Sequence, residues 1–277
     1  MSGRLYVVGT PIGNLGDLSE RARETLGSVD LVAAEDTRRT GRLLAHIGSK
    51  SRMVSLFEGN EAQRIDEILD RLGEGDTVAL VSDAGMPAVS DPGFRLLRAA
   101  VEAGVEVNVV PGPSAVTAAL VVSGLPTDRW VFEGFLPRRA GDRRRRLRAL
   151  AHDPRTVVVF ESSLRVVTLL REVLVELGDR RAALARELTK LHEEVVRGRV
   201  SEVLASVRDS EPRGEIVLVL EGAEPAEADL DELVDEARRL VADGMRKREA
   251  AAAVARRGGA SVNAIYGKLV GLDEQTH

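Results

Sequence analysis

Residues 77–93 read TVALVSDAGMPAVSDPG: an apolar run, Val78 to Val81, stops at Ser82-Asp83 and gives way to two glycines, two prolines and a second aspartate. A strand with no polar alternation is covered on both faces, which is the condition of a parallel sheet. In an open α/β sheet, ligands bind outside the carboxyl ends of such strands. The loop offers Asp83 and Asp91 and no Lys or Arg before Arg95. An anion would be repelled there, whereas a ligand with a positive centre or with hydroxyl and amine donors would be held. On this reading Asp83 meets the ligand, and Asp91, just before Pro92-Gly93, caps the next helix.

The same rhythm extends to both sides. LYVV, DLVAAE, MVSLF, TVALVS and VEVNVV alternate with the amphipathic segments LSERARETL, RRTGRLLAHI, EAQRIDEILDRL, FRLLRAAVEA and SAVTAALVVSGL. That alternation predicts a βαβ series and a parallel sheet over residues 1–124. From Trp130 the pattern changes to WVFEGF, a basic helix, TVVVFES, a helix, the close pair RAALAREL and HEEVVRG, a short helix and EIVLVLEG. This predicts a second α/β domain with a mixed sheet over 125–222. Residues 223–236, AEPAEADLDELVDE, carry seven acids and no base. We read them as an acidic linker opening a small helical module, 223–277, with three short helices from Leu230 to Leu272 and Gly258-Gly259 between the last two.

Composition narrows the function classes. The chain has 277 residues, 44% of them hydrophobic, and a net charge of -5, as expected of a soluble globular protein. The apolar run after the N-terminus is four residues, Leu5 to Val8, too short for a signal peptide, so the chain is expected in the cytoplasm. With no cysteine there is no disulfide framework and no thiolate zinc site, and the four histidines have no metal-ligand spacing, so no metal is expected. The basic residues cluster instead: RRAGDRRRRLR, Arg138 to Arg148, holds seven arginines and one aspartate.

Two further strand ends bear on the ligand. VGTPIGN, Val8 to Asn14, has glycines at 9, 13 and 16 that do not spell GxGxxG, and Pro11 lacks the N–H that a pyrophosphate cradle would use. VVPGPSAVTAAL, from Val109, puts Pro-Gly-Pro before a helix with a small, uncharged start, where the Ser114 hydroxyl and nearby N–H groups can hold a carboxylate or ribose. Together the three loops suit S-adenosylmethionine, with its sulfonium, ammonium and ribose, better than a dinucleotide.

VGTPIGNLGDLSERA, AEDTRRTGRLL, SDAGMPAVSDPG and PGPSAVTAALVVSGLP resemble the tetrapyrrole-methylase superfamily. Within it they are most similar to the bacterial small-subunit ribosomal RNA methyltransferase family, cytidine 2'-O-methyltransferases acting on the decoding region of 16S rRNA. The resemblance continues through GFLPRR, VVFESSLRVVTL, ARELTKLHEEVVRG and GEIVLVLEG, to Gly222. It implies two α/β domains with S-adenosylmethionine folded between them, and a homodimer. Carried over by motif, Pro11, the backbone of Asp83, Ala84, Gly85 and Met86, and Ser114-Ala115 contact the donor from the first domain. Phe160-Glu161 and Ala185-Arg186 do so from the second. Two family motifs have lost their histidines: the HEHNE pattern is FEGNE at 57–61, and ESPHR is ESSLR at 161–165. Histidine-dependent catalysis is therefore not expected at either place.

Methyl transfer to a ribose hydroxyl needs alignment and a proton acceptor. The candidates are Glu35 and Asp36, at a strand end beside the donor loops, with Asp36 the better suited of the two to cap the next helix, and Lys190 in ARELTK, which together with Arg186 reads more readily as a phosphate or substrate contact than as a base and otherwise as an ion-pair partner of Glu187 or Glu193. Arg38 and the cluster Arg138, Arg139, Arg143, Arg144, Arg145 and Arg146 are candidate contacts to 16S rRNA or the small ribosomal subunit, since like charges so close together favour a phosphate partner. Arg246, Lys247, Arg248, Arg256 and Arg257 make the C-terminal helices either an RNA-docking module or a dimer-stabilising appendage. The rivals are a tetrapyrrole C-methyltransferase of the same fold and a non-catalytic ribosome-assembly factor; EDTRRT and the helical tail favour RNA.

Overall fold

The computed structural model describes residues 3–208, 214–224, 230–258 and 260–271; Gly259, the middle of the acidic stretch and the side chain of Arg257 lie outside the described residues. Residues 1–148 and 155–221 form one compact unit, and residues 149–154 and 222–277 a second.

The first unit begins with the alternation β1 (Arg4–Val8), α1 (Glu20–Ser28), β2 (Leu31–Ala34), α2 (Thr37–His46), β3 (Arg52–Ser55), α3 (Glu61–Glu74), β4 (Thr77–Val81), α4 (Phe94–Glu102), β5 (Glu106–Val110) and α5 (Ala115–Ser123). The five strands form one sheet in the order β3-β2-β4-β1-β5, every pair parallel. Its uniform apolarity has the expected cause. Val8, Val32, Ala34, Ala79 and Val81 pack with Leu26 and Leu43 on one face. Leu5, Leu31, Ala33, Val78 and Leu80 pack with Ile68, Leu72 and Leu96 on the other. Alternate residues of each strand thus feed two cores, and each fully buried Leu contributes about 1.5–3 kcal/mol.

The chain continues with β6 (Trp130–Phe135), α6 (Ala140–Ala149), β7 (Thr156–Ser162), α7 (Val166–Glu176), β8 (Arg181–Arg186), β9 (Glu194–Arg199), α8 (Val200–Arg208) and β10 (Glu215–Leu220). These strands make a mixed sheet, β6-β7-β10-β8-β9, in which β6 and β7 are parallel and the other pairs antiparallel. Helix α5 closes one of its faces: Val116, Ala119 and Leu120 pack on Val158, Ala183, Ala185, Val217 and Val219. The second sheet therefore rests on the helix that leaves the last strand of the first, which brings the carboxyl end of β5 to its surface.

In the C-terminal unit, α9 (Leu230–Ala242), α10 (Lys247–Gly258) and α11 (Val262–Val270) bury Leu233, Val234, Ala237, Ala250, Ala251, Val254 and Ile265 among themselves. Arg246, Lys247, Arg248 and Arg256 are exposed on it.

Candidate functional site

The strand-end loops converge because their backbones touch. Thr10 and Gly85 exchange backbone hydrogen bonds, Thr10 N to Gly85 O at 2.9 Å and Gly85 N to Thr10 O at 3.1 Å, and the Thr10 hydroxyl donates to Ser82 O at 3.2 Å. Gly85 takes φ 83°, open to glycine at little cost. Gly9 and Gly112 pass so closely that a Cβ on Gly9 would sit 2.6 Å from the Gly112 nitrogen, and one on Gly112 2.8 Å from the Gly9 Cα. The VGTP, SDAG and PGPS loops are thus fixed to one another through backbone, and only glycine fits at the crossing.

The far end of the Ser82–Gly93 loop is held differently. Helix α4 starts at Gly93, and its first N–H groups are met by a carboxylate from another part of the chain: Glu61 Oε1 accepts from Gly93 N at 3.1 Å and Arg95 N at 2.9 Å. Glu61 is buried, and the N–H groups it satisfies would otherwise be orphans of the helix start. The expectation that Asp91 caps α4 is therefore corrected. Between the pinned ends, Ala88 and Ser90 adopt φ 66° and 63°, a left-handed conformation disfavoured for residues with a Cβ. Ser90 lies against Gly134 of β6, where a Cβ would meet its hydroxyl at 2.8 Å.

These loops, with the second sheet, enclose a cavity of about 430 Å³, within the range of small-molecule sites. Ala84, Gly85, Met86, Ser114 and Ala115 line it from the first sheet's loops, and Phe160, Glu161, Ala185, Leu188 and Val217 from the second sheet. Phe160 is propped edge-on by Phe132, with ring centroids 4.9 Å apart, and Phe135 leans on it at 5.5 Å. Ser114 is the N-cap of α5, yet its side chain makes no capping bond, so its hydroxyl and the helix start face the cavity uncommitted.

The charged lining consists of Glu35, Asp83, Asp91, Glu161 and Glu215 against Arg39. Glu35 Oε2 accepts from Asp83 N at 3.1 Å, and Asp83 Oδ1 accepts from Asp36 N at 3.1 Å, so the ends of β2 and β4 clasp each other. Burial raises the Glu35 carboxyl above its ordinary range, helped by the charge of Asp83 and opposed by the Asp83 N–H and Arg39. Burial likewise raises Asp83, opposed by Arg39, whose guanidinium is 3.3 Å away. Asp91 is pushed up to about 6, first by burial, then by the charge of Glu35, with the Ser82 side chain opposing.

Several expected site residues stand elsewhere. Asp36 is the N-cap of α2: Oδ1 accepts from Arg38 N at 2.8 Å and Oδ2 from the Arg38 guanidinium at 2.7 Å, contacts that hold its carboxyl well below the usual range. It has no spare affinity for a proton. Lys190 does not line the cavity; it pairs with Glu187 at 2.9 Å and Glu215 at 3.0 Å. Desolvation opposes its charge, but the hydrogen bonds and charges of these two carboxylates together outweigh it and raise the pKa, which favours the ammonium over the free amine that a base requires. Pro11 and the Arg186 side chain are also absent from the lining: Ile12 stands where Pro11 was expected, and Arg186 turns to Glu194 at 2.8 Å. Arg143 is corrected too. It is buried, bidentate to Glu172 at 2.5 and 2.9 Å, and unavailable to RNA. Arg138, Arg139, Arg144, Arg145 and Arg146 remain exposed, with Arg146 paired to Glu133 and Arg145 to Asp142. Arg38 is exposed as well. The sequence reading missed Arg39, four residues after Glu35 and thus on the same side of a helix start, and Glu215, which opens β10 at the cavity edge.

Among the described residues no group of three or more His, Asp or Glu is arranged to hold a metal ion, and no helix is long and apolar enough to cross a membrane.

The profile of the tetrapyrrole (corrin/porphyrin) methylases matches residues 4–204. Among curated proteins, the chain is 51% identical over 222 residues to the ribosomal RNA small subunit methyltransferase I of Thermotoga maritima, covering 80% of this chain and 100% of that one. It is 45% identical over 267 residues to the enzyme of the same name from Escherichia coli O157:H7, covering 95% and 93%. Among solved structures, a cobalt precorrin-4 methyltransferase superposes with TM-score 0.59 at 21% identity, covering 79% of this chain and 94% of that one. The uroporphyrin-III C-methyltransferase of Thermus thermophilus, complexed with S-adenosylhomocysteine, does so with TM-score 0.56 at 24% identity, covering 79% and 97%. These last two show the fold.

Proposed function

The chain belongs to the tetrapyrrole methylase family and, within it, to the ribosomal RNA small subunit methyltransferase I group, and on that premise we propose that it transfers a methyl group from S-adenosylmethionine to the 2'-hydroxyl of a cytidine in the decoding region of 16S rRNA. The observation that carries the donor is the cavity lining, five carboxylates against one arginine beside an uncharged, glycine-shaped backbone. Such a wall favours a sulfonium and an ammonium and disfavours phosphate. The donor, when bound, supplies an electrophilic methyl carbon. The backbone of Asp83 to Met86 and the Ser114-Ala115 helix start hold its polar groups, the latter suiting its carboxylate. Phe160, Ala185 and Leu188 cover its apolar parts, and Glu161 is fixed at the wall by its pair with Arg165 at 2.7 Å.

The exposed Arg138, Arg139, Arg144, Arg145 and Arg146, with Arg38, form the RNA-facing set in this reading. They hold phosphates and set register, and they carry no base specificity. The aromatic content of 3% speaks against stacking as the main binding mode. The reading includes a homodimer acting in the cytoplasm.

The test is incubation with labelled S-adenosylmethionine and, in parallel, small subunits from cells lacking the modification, free 16S rRNA, and a tetrapyrrole precursor. Label recovered as 2'-O-methylcytidine supports the assignment. Label only in the tetrapyrrole, or donor binding with no transfer to any acceptor, overturns it.

A further inference from the structure

We propose that Asp91 is the general base of the reaction, taking the proton of the ribose hydroxyl as its oxygen attacks; this rests on the 2'-O-methyl-transfer reading above. The argument is one of elimination among carboxylates, on geometry. Of the five that line the cavity, Glu161 is bidentate to Arg165 at 2.7 and 2.8 Å, Glu215 pairs with Lys190, Asp83 accepts from Asp36 N and faces Arg39, and Glu35 accepts from Asp83 N. Each of these four has at least one carboxylate oxygen already engaged by a main-chain N–H, a Lys or an Arg. Among the described residues, no backbone N–H, Lys or Arg hydrogen-bonds the Asp91 carboxylate.

The loop that carries Asp91 is built to present it. The helix start that the aspartate would ordinarily cap is occupied by Glu61, so the carboxylate is not needed as a cap, and its remaining hydrogen-bond partner is the Ser82 side chain. Ala88 and Ser90 hold left-handed backbone conformations just before it, and the turn is closed by Ala88 N donating to Pro92 O at 3.2 Å. Two such residues cost about 1–3 kcal/mol each, and strain of this kind persists where surrounding structure enforces it, characteristically at functional sites. Here the enforcement is visible at both ends: Thr10 and Ser82 on one side, Glu61 on the other.

The electrostatics agree. Asp91 is faced by Glu35 from the end of β2, by Asp83 from its own loop and by Glu215 from β10, all of like charge, while Arg39 of α2 acts on Glu35 and Asp83. A carboxylate so placed holds a proton more tightly than an ordinary aspartate and still ionises below neutrality. The step balances as follows. The 2'-oxygen forms a bond to the methyl carbon, the sulfur–carbon bond breaks with its electron pair staying on sulfur, and the hydroxyl proton passes to an Asp91 oxygen and then to solvent.

The experiment compares wild type, Asp91→Asn and Asp91→Glu, full length, using S-adenosylmethionine and small subunits lacking the modification. Donor Kd is measured by calorimetry, and the single-turnover rate from pH 5 to 8.5. In Asp91→Asn the donor still binds, which reports an intact fold, and its Kd weakens by far less than the rate falls, because four of the five carboxylates of the wall remain. The variant's transfer rate falls by 10²-fold or more, and the acid limb of the wild-type pH profile, expected near pH 6, disappears. Asp91→Glu recovers part of the rate and keeps an acid limb. Asp91→Asn retaining the rate to within tenfold, or keeping the acid limb, overturns the proposal. So does a loss of donor affinity that accounts for the whole loss of rate, which would make Asp91 a donor-binding residue. Failure of the wild type itself to modify ribose would instead strike the reading on which the proposal rests, before any variant is compared.

Discussion

Arg143 and Glu172 form a buried, bidentate ion pair at the centre of a helix whose other arginines face solvent. Removing one partner leaves the other buried and uncompensated, which costs about 3–5 kcal/mol. Arg143→Ala should therefore fall near 3 kcal/mol in a urea titration, the lower end because Arg144 also reaches Glu172, at 3.4 Å.

The exposed neighbours should behave in the opposite way. Arg144→Ala with Arg145→Ala should change stability by less than about 1 kcal/mol, because the pairs lost are largely solvent-screened. Binding to 16S rRNA should weaken, with the slope of log affinity against log salt reduced by roughly 1–2. Filter binding at several salt concentrations checks this, with donor affinity unchanged as the control.

Glu61→Ala should expose the start of α4 and cost about 1–2 kcal/mol, the usual loss for a helix cap. Because the same carboxylate fixes the end of the loop bearing Asp83 and Asp91, donor affinity should drop as well. Glu61→Gln, which keeps an acceptor oxygen, should lose less of both. Parallel denaturation and calorimetry separate the two effects.

The raised pKa of Asp91 has a sign that can be read from stability. The folded protein binds this proton more tightly than the unfolded chain, with about 6 against an ordinary 3.8, so stability from this group is present below about pH 4 and lost as pH rises through 6. Asp91→Asn removes that loss. The variant should gain about 1 kcal/mol over wild type at pH 7.5, discounted for partial exposure, and little at pH 4. Urea midpoints at the two pH values test it; equal differences at both would contradict the shift.

Gly112→Ala should be more damaging than its size suggests. The added Cβ meets the Gly9 backbone, not a flexible side-chain end, so the VGTP and PGPS loops must part. A loss of donor affinity of tenfold or more is expected. Gly48→Ala, where a Cβ meets nothing but φ is 72°, should cost stability of roughly 1 kcal/mol and leave the donor Kd alone.

Both sheets were legible in the sequence, because the periodicity of runs such as VALV and EIVLVL reflects burial on the two faces of a sheet, a local property. The donor loops were legible for the same reason: they follow those runs. Side-chain commitments were not. Asp91 precedes Pro-Gly at a helix start and has the local form of a cap; it is displaced by Glu61, thirty residues earlier, through a contact no spacing rule contains. Arg143 sits among identical neighbours, and only the helical phase that turns it toward Glu172 of α7 sets it apart. Lys190 reads as a candidate base until Glu187 and Glu215 are seen on either side of it.

The order of strands in the second sheet bears on how the protein is made. The first sheet needs nothing beyond residue 110, so it can close while the rest of the chain is still being synthesised. The second cannot: β10, the last strand of its unit in the chain, lies between β7 and β8 at the middle of the sheet. Glu215, Ile216 and Val217 of that strand also line the cavity. A nascent chain that stops short of residue 220 therefore has its glycine loops in place and half of its pocket missing, so capacity for the donor arrives as one late event in synthesis.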